Sequence, residues 1–84
     1  MEAGKVFDGE KFIADVQYQY RTTTQHDRGM PVSQTVHLLI QPAAAVSPFF
    51  SSAGKLTLHM SNGKKLNFFV EYPDGRCRGT GGPY

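Results

Sequence analysis

The sequence predicts an all-β protein, a small antiparallel six-stranded barrel or strongly curled meander with one short helical turn between its third and fourth strands. Three observations carry this. Apolar and polar residues alternate with period two in "KFIADVQYQYRTTT", "QTVHLLIQP" and "LTLHMSNGKKLNFFV", the pattern of strands that bury one face. Asp8-Gly9, Asn62-Gly63 and Asp74-Gly75 each sit between such runs, and Asx-Gly pairs are the strongest short hairpin signals because glycine takes positive φ without a steric penalty. A chain of 84 residues has room for a single domain, 1–84, and buries only about 60–65 % of its unfolded surface, so its core must be economical.

The expected elements follow in order. β1 occupies about 4–7 and turns at Asp8-Gly9 into β2, about 11–24, in which Phe12, Ala14, Val16, Tyr18 and Tyr20 face the core while Ile13, Asp15, Gln17, Gln19 and Arg21 face outward. So long a strand is expected to bend or carry a bulge and serve two sides of a barrel. Residues 25–33, "QHDRGMPVS", read as a polar loop. β3, 34–41, places Val36, Leu38 and Ile40 on one face and ends before Pro42, which cannot donate to a ladder. A helical turn over 47–52 is expected from Ser47 as N-cap with Pro48 behind it, Gly54 ending it and Phe49 or Phe50 plugging the barrel.

β4 (55–60) and β5 (64–72) flank Asn62-Gly63. A two-residue loop there would set Leu58 opposite Asn67, whereas a three-residue loop, Ser61-Asn62-Gly63, sets Leu58 opposite Leu66 and Leu56 opposite Phe68. Only the second keeps the apolar residues on one face, because a one-residue slip exchanges inside and outside. The same reasoning applied to Tyr72-Pro73-Asp74-Gly75-Arg76 pairs Glu71 with Cys77 and Val70 with Arg78 and leads into β6 (76–80). Residues 79–84, "GTGGPY", read as a glycine-rich tail that lets the chain turn across the barrel.

Composition narrows the function. Nine Lys plus Arg against seven Asp plus Glu give a net charge of +2, too small to announce a nucleic-acid or anionic-membrane partner. No stretch has the roughly 18 apolar residues of a membrane span, and "MEAGKVFDGEK" lacks the apolar run of a secretory signal. With its single cysteine, Cys77, unable to form an internal disulfide, the chain is expected to be cytosolic and close to a complete natural product.

Catalytic and metal motifs are not found. The serines have no nucleophile setting, and alternation places Arg76 and Arg78 on the strand face opposite Cys77. His26, His37 and His59 lack the spacing of metal ligands, and "GTGGPY" has no helix behind it to hold a phosphate. No cofactor is expected, and no enzyme. What remains is the outward face of the β4–β5 hairpin, where Lys55 stands beside Phe69, Thr57 beside Asn67 and His59 beside Lys65, with Glu71 and Cys77 continuing it toward β6. Lys55, His59, Lys65, Phe69 and Glu71 are therefore the candidate binding face, unless Phe69 joins Ile13 and Leu39 in a second apolar cluster. The expected use is non-catalytic contact with a protein partner, or self-association, through that face or a free sheet edge. The alternative is single-stranded nucleic acid, with Lys55, Lys64, Lys65 and Arg76 meeting phosphates.

Over "LTLHMSNGKKLNFFVEYPDGRCRGTGGPY" the chain resembles a set of short bacterial proteins of unknown function, in which a Leu-Thr-Leu-His strand end, an Asx-Gly turn and a Leu-x-Phe-Phe-Val strand recur near the C-terminus. The resemblance implies a compact bacterial β domain and transfers no activity or site. The helical turn between β3 and β4 is similar in layout to the oligonucleotide-binding fold.

Overall fold

In the computed structural model, which describes residues 1–50 and 54–84, six antiparallel strands close into a barrel: β1 (Glu2–Asp8), β2 (Lys11–Asp27), β3 (Met30–Gln41), β4 (Leu56–His59), β5 (Lys65–Val70) and β6 (Arg76–Gly79). Alternation builds it. Val16, Tyr18, Val36, Leu38, Ile40, Leu56, Leu58, Leu66, Phe68 and Val70 all point inward and are buried, each such side chain contributing about 1.5–3 kcal/mol of apolar transfer. Among the described residues every buried side-chain polar atom has a hydrogen-bond partner.

Strands do not follow one another around the ring in sequence order. The order is β1-β2-β3-β6-β5-β4, closed by β4 against β1, so two three-stranded meanders meet along β3–β6 and β4–β1. The six-stranded closed ring also differs from the five strands of the oligonucleotide-binding barrel. The link from β3 to β4 must therefore cross one end of the barrel. It does so through two 3-10 turns, Ala43–Ala45 and Ser47–Phe49, the first packed on β2 and β3 and the second on β5. Here the expected plug is corrected in part. Val46, fully buried between the turns, fills the barrel end, with Phe49 partly buried beside it and Phe50 exposed. Ser47 opens the second turn from inside rather than capping it, and among the described residues no side chain caps either turn; positions 51 and 52 of the expected helical turn lie outside the described residues.

The β4–β5 register is the one that in-phase burial demands: Leu56 pairs with Phe68, Leu58 with Leu66 and His59 with Lys65. Its three-residue loop is closed by Gly63 N–H donating to Met60 O at 3.1 Å, with Gly63 at φ +84°.

The next hairpin departs from expectation by one residue. Val70 pairs with Cys77 and Phe69 with Arg78. Glu71 and Tyr72 both donate to Arg76 O at 3.0 Å, so two residues on one side answer one on the other, which is a bulge. This extra residue lets Val70 and Cys77 both enter the core. Cys77 accordingly leaves the outward face on which the slipped register had set it.

β2 supplies two further corrections. Its ladder with β1 skips Ile13, since Val6 pairs with Ala14 and Phe7 with Phe12. At this bulge Ile13 packs against the core and Phe12 turns outward. Tyr20 is exposed because β2 has by then outrun β1, whose ladder ends at Tyr18.

Residues 25–33 are not a loop. β2 and β3 stay paired to Asp27 opposite Met30, around a two-residue turn in which Arg28 (φ +55°) and Gly29 (φ +80°) are both left-handed, the geometry whose twist suits a hairpin. β6 reaches β3 only at residues 37–39. Past buried Val36, residues 21–34 form a ribbon exposed on both faces, which accounts for the 42 Å long axis against 28 and 22 Å.

One polar network ties the N-terminus to the β4–β5 loop. Buried Tyr18 donates its hydroxyl to Glu2 Oε2 (2.9 Å) and accepts from Ser61 N–H (3.1 Å), while Ser61 Oγ donates to the same carboxylate oxygen (2.8 Å). These bonds from Ser61 and Tyr18 hold the Glu2 carboxyl below its ordinary value. A depressed carboxyl stabilises the fold above its unfolded pKa and loses that contribution as pH falls through the folded value. The urea midpoint is therefore expected to drop between about pH 6 and about pH 3, and to drop less in Glu2→Gln; an equal drop in both proteins contradicts the network's role.

Candidate functional site

Outward residues of neighbouring strands align in rows across the barrel. One row runs Asp15, Lys5, His59, Lys65 over β2, β1, β4 and β5. A second runs Phe69, Arg78, His37, Arg21 over β5, β6, β3 and β2, and a third sets Arg76 beside Leu39 and Gln19. The five residues expected to form one face separate between these rows. His59 and Lys65 are cross-strand neighbours, but His59 stacks on Phe7 of β1, with ring centroids 4.1 Å apart, and Phe7 meets Phe12 edge-on at 5.6 Å. Phe69 and Glu71 join Arg78 instead. Phe69 lies four residues along β5 from Lys65, about 13 Å at strand rise. Lys55 is exposed and precedes β4, outside its ladder.

The Phe69 end is the better-built group. Phe69 is 37 % exposed on a strand whose flanking Phe68 and Val70 are buried. Arg78 Nη2 donates to Glu71 Oε1 at 2.8 Å. Arg76 Nε donates to Asp74 Oδ2 at 2.9 Å, and its guanidinium lies 4.1 Å from the centroid of the Tyr72 ring, a cation–π contact. Between these side chains and β3 runs an open groove of ≈ 500 Å³ lined by Arg21, His37, Leu39, Tyr72, Arg76 and Arg78. Ile13, which could have formed an outer apolar cluster with Phe69, packs on the barrel core instead.

No family model, curated protein or solved structure matches the chain.

The tail is held at the other end of β5. Tyr84 and Lys65 exchange backbone hydrogen bonds of 2.8 Å, and Tyr84 Oη and Thr57 Oγ1 both donate to Asn67 Oδ1, at 3.0 and 2.9 Å.

The Cys77 side chain is buried in the core beneath the groove. Burial pushes its thiol up to about 12, the reverse of a nucleophile's tuning. At pH 8 a disulfide reagent is expected to find no reactive thiol in the folded protein and one after denaturation; rapid labelling of the native state contradicts the buried placement. Among the described residues no three His, Cys, Asp or Glu side chains cluster to hold a metal ion, and no helix is long and apolar enough to cross a membrane.

Sequence reasoning missed Arg78, Tyr72, His37 and Arg21. A signal for the first two was present: requiring Val70 and Cys77 to be in phase, as Leu58 and Leu66 were, selects the observed register and sets Arg78 beside Phe69. His37 and Arg21 had no such signal, because nothing local reports that β3 pairs with β6.

Proposed function

We propose that this chain is a non-catalytic binding module that meets a protein partner through the outward surface of β5 and β6 and the groove beside it. The observation that carries the reading is the pairing of exposed aromatic rings with ordered arginines: Phe69 beside Arg78, and Tyr72 under Arg76. Aromatic and arginine side chains dominate binding energy at protein interfaces, and side chains already held by Glu71 and Asp74 lose little further freedom on association. Those two carboxylates also neutralise the two arginines locally, which suits a surface of mixed charge better than a polyanion. The proposed compartment is the cytoplasm, in keeping with an unpaired cysteine.

A second reading, single-stranded nucleic acid, draws on the same rings and cations. The two separate in one experiment. A photo-crosslinking residue placed at Phe69 or at Tyr72 in source cells is expected to capture the same protein from both positions, none from Glu10, and none when Arg78→Glu is added. Capture of nucleic acid supports the second reading instead, and capture of nothing from either position counts against both.

A further inference from the structure

The β2–β3 ribbon leaves one strand edge open, and the chemistry of that edge names its occupant. β1 covers β2 only as far as Tyr18, so residues 19–27, "QYRTTTQHD", have β3 on one side and, among the described residues, no strand on the other. This edge is nine residues long and contains neither proline nor lysine, two of the devices by which sheet edges are kept from pairing, and its charges, Arg21 and Asp27, are of opposite sign. The opposite edge of the ribbon is protected. Pro31 removes a donor there, and the ladder skips Val32 in a bulge between the Gln25 and His26 pairs.

We infer that the open edge of β2 pairs antiparallel with the same edge of a second copy of this chain, joining two ribbons into a four-stranded sheet about a two-fold axis. The register follows from two constraints. Backbone N–H and C=O groups alternate sides along a strand, so residues opposite one another must be an even number of positions apart. Among the registers this allows, centring the axis on Thr24 sets Arg21 opposite Asp27 of the second copy, twice by symmetry, with both side chains on one face of the sheet. Centring on Thr23 would oppose Arg21 to Gln25 and lose both pairs. Arg21 makes no ion pair within its own chain among the described residues, and neither does Asp27. The self-complementary charge spacing therefore singles out a like chain, and Asp27, unlike Arg21, stands outside the groove beside β5 and β6.

Sedimentation of the whole protein over a concentration series tests this. A monomer–dimer equilibrium is expected. Arg21→Asp or Asp27→Arg alone replaces two attractive contacts by two repulsive ones and is expected to weaken the dimer about tenfold. The double variant Arg21→Asp with Asp27→Arg restores the wild-type association. Thermal unfolding of all three variants, whose changes lie on the ribbon, is expected to match the wild type when monomeric. A wild type that stays monomeric up to millimolar concentration overturns the inference. So does a dimer that either single reversal leaves unchanged, or that the double variant fails to restore.

Discussion

Gly75→Ala is expected to cost about 3–5 kcal/mol, a large part of the roughly 4–13 kcal/mol available to a domain of this length. A Cβ at position 75 would collide with the backbone oxygen of Ile40. The turn cannot move away freely, because Ile40 N–H donates to Gly75 O at 2.9 Å and anchors the Tyr72 turn to β3. Gly75 is also left-handed at φ +98°, which alone costs another residue about 1–2 kcal/mol. Gly63 supplies the control. It has φ +84° and, among the described residues, open space where a Cβ would stand, so Gly63→Ala is expected to show only the backbone penalty, about 1–2 kcal/mol. Chemical denaturation of both variants checks this, and equal losses would mean that Gly75 does not approach β3.

Phe68→Ala comes next. Its ring is fully buried, opposite Leu56 on one side and Gly79 on the other, and truncating a buried phenylalanine costs about 3–5 kcal/mol through lost transfer energy and the cavity left behind. Phe69→Ala, one residue along, is expected to shift stability by no more than about 1 kcal/mol, as a surface change does. Two phenylalanines adjacent in sequence thus answer to different requirements: one holds the barrel, the other stands on its outward surface. A Phe69→Ala loss as large as that of Phe68→Ala would place the ring in the core and remove the proposed site.

The barrel itself was legible because its causes are local. Alternation assigns inside and outside residue by residue, and Asn62-Gly63 with Leu58 and Leu66 in phase fixes a whole hairpin. Arg28-Gly29 escaped notice because a turn that places arginine in the left-handed region carries no Asx-Gly signature, so the residues around it read as a polar loop. The closure of β4 on β1 and of β3 on β6 escaped for a deeper reason, since long-range pairing depends on the summed fit of all inward side chains and not on any one segment. This also explains the partial view of the site. Phe69 and Glu71 were visible on their own hairpin, whereas the groove exists only once β3 lies beside β6, and the Phe7–His59 stack only once β1 lies beside β4.

Everything proposed for the β5–β6 surface depends on which residues face each other across that hairpin. Cross-strand backbone proton contacts measured by nuclear magnetic resonance give this directly. Contacts joining Phe69 to Arg78 and Val70 to Cys77 are expected, whereas contacts joining Glu71 to Cys77 and Val70 to Arg78 would carry Arg78 away from Phe69 and contradict the site.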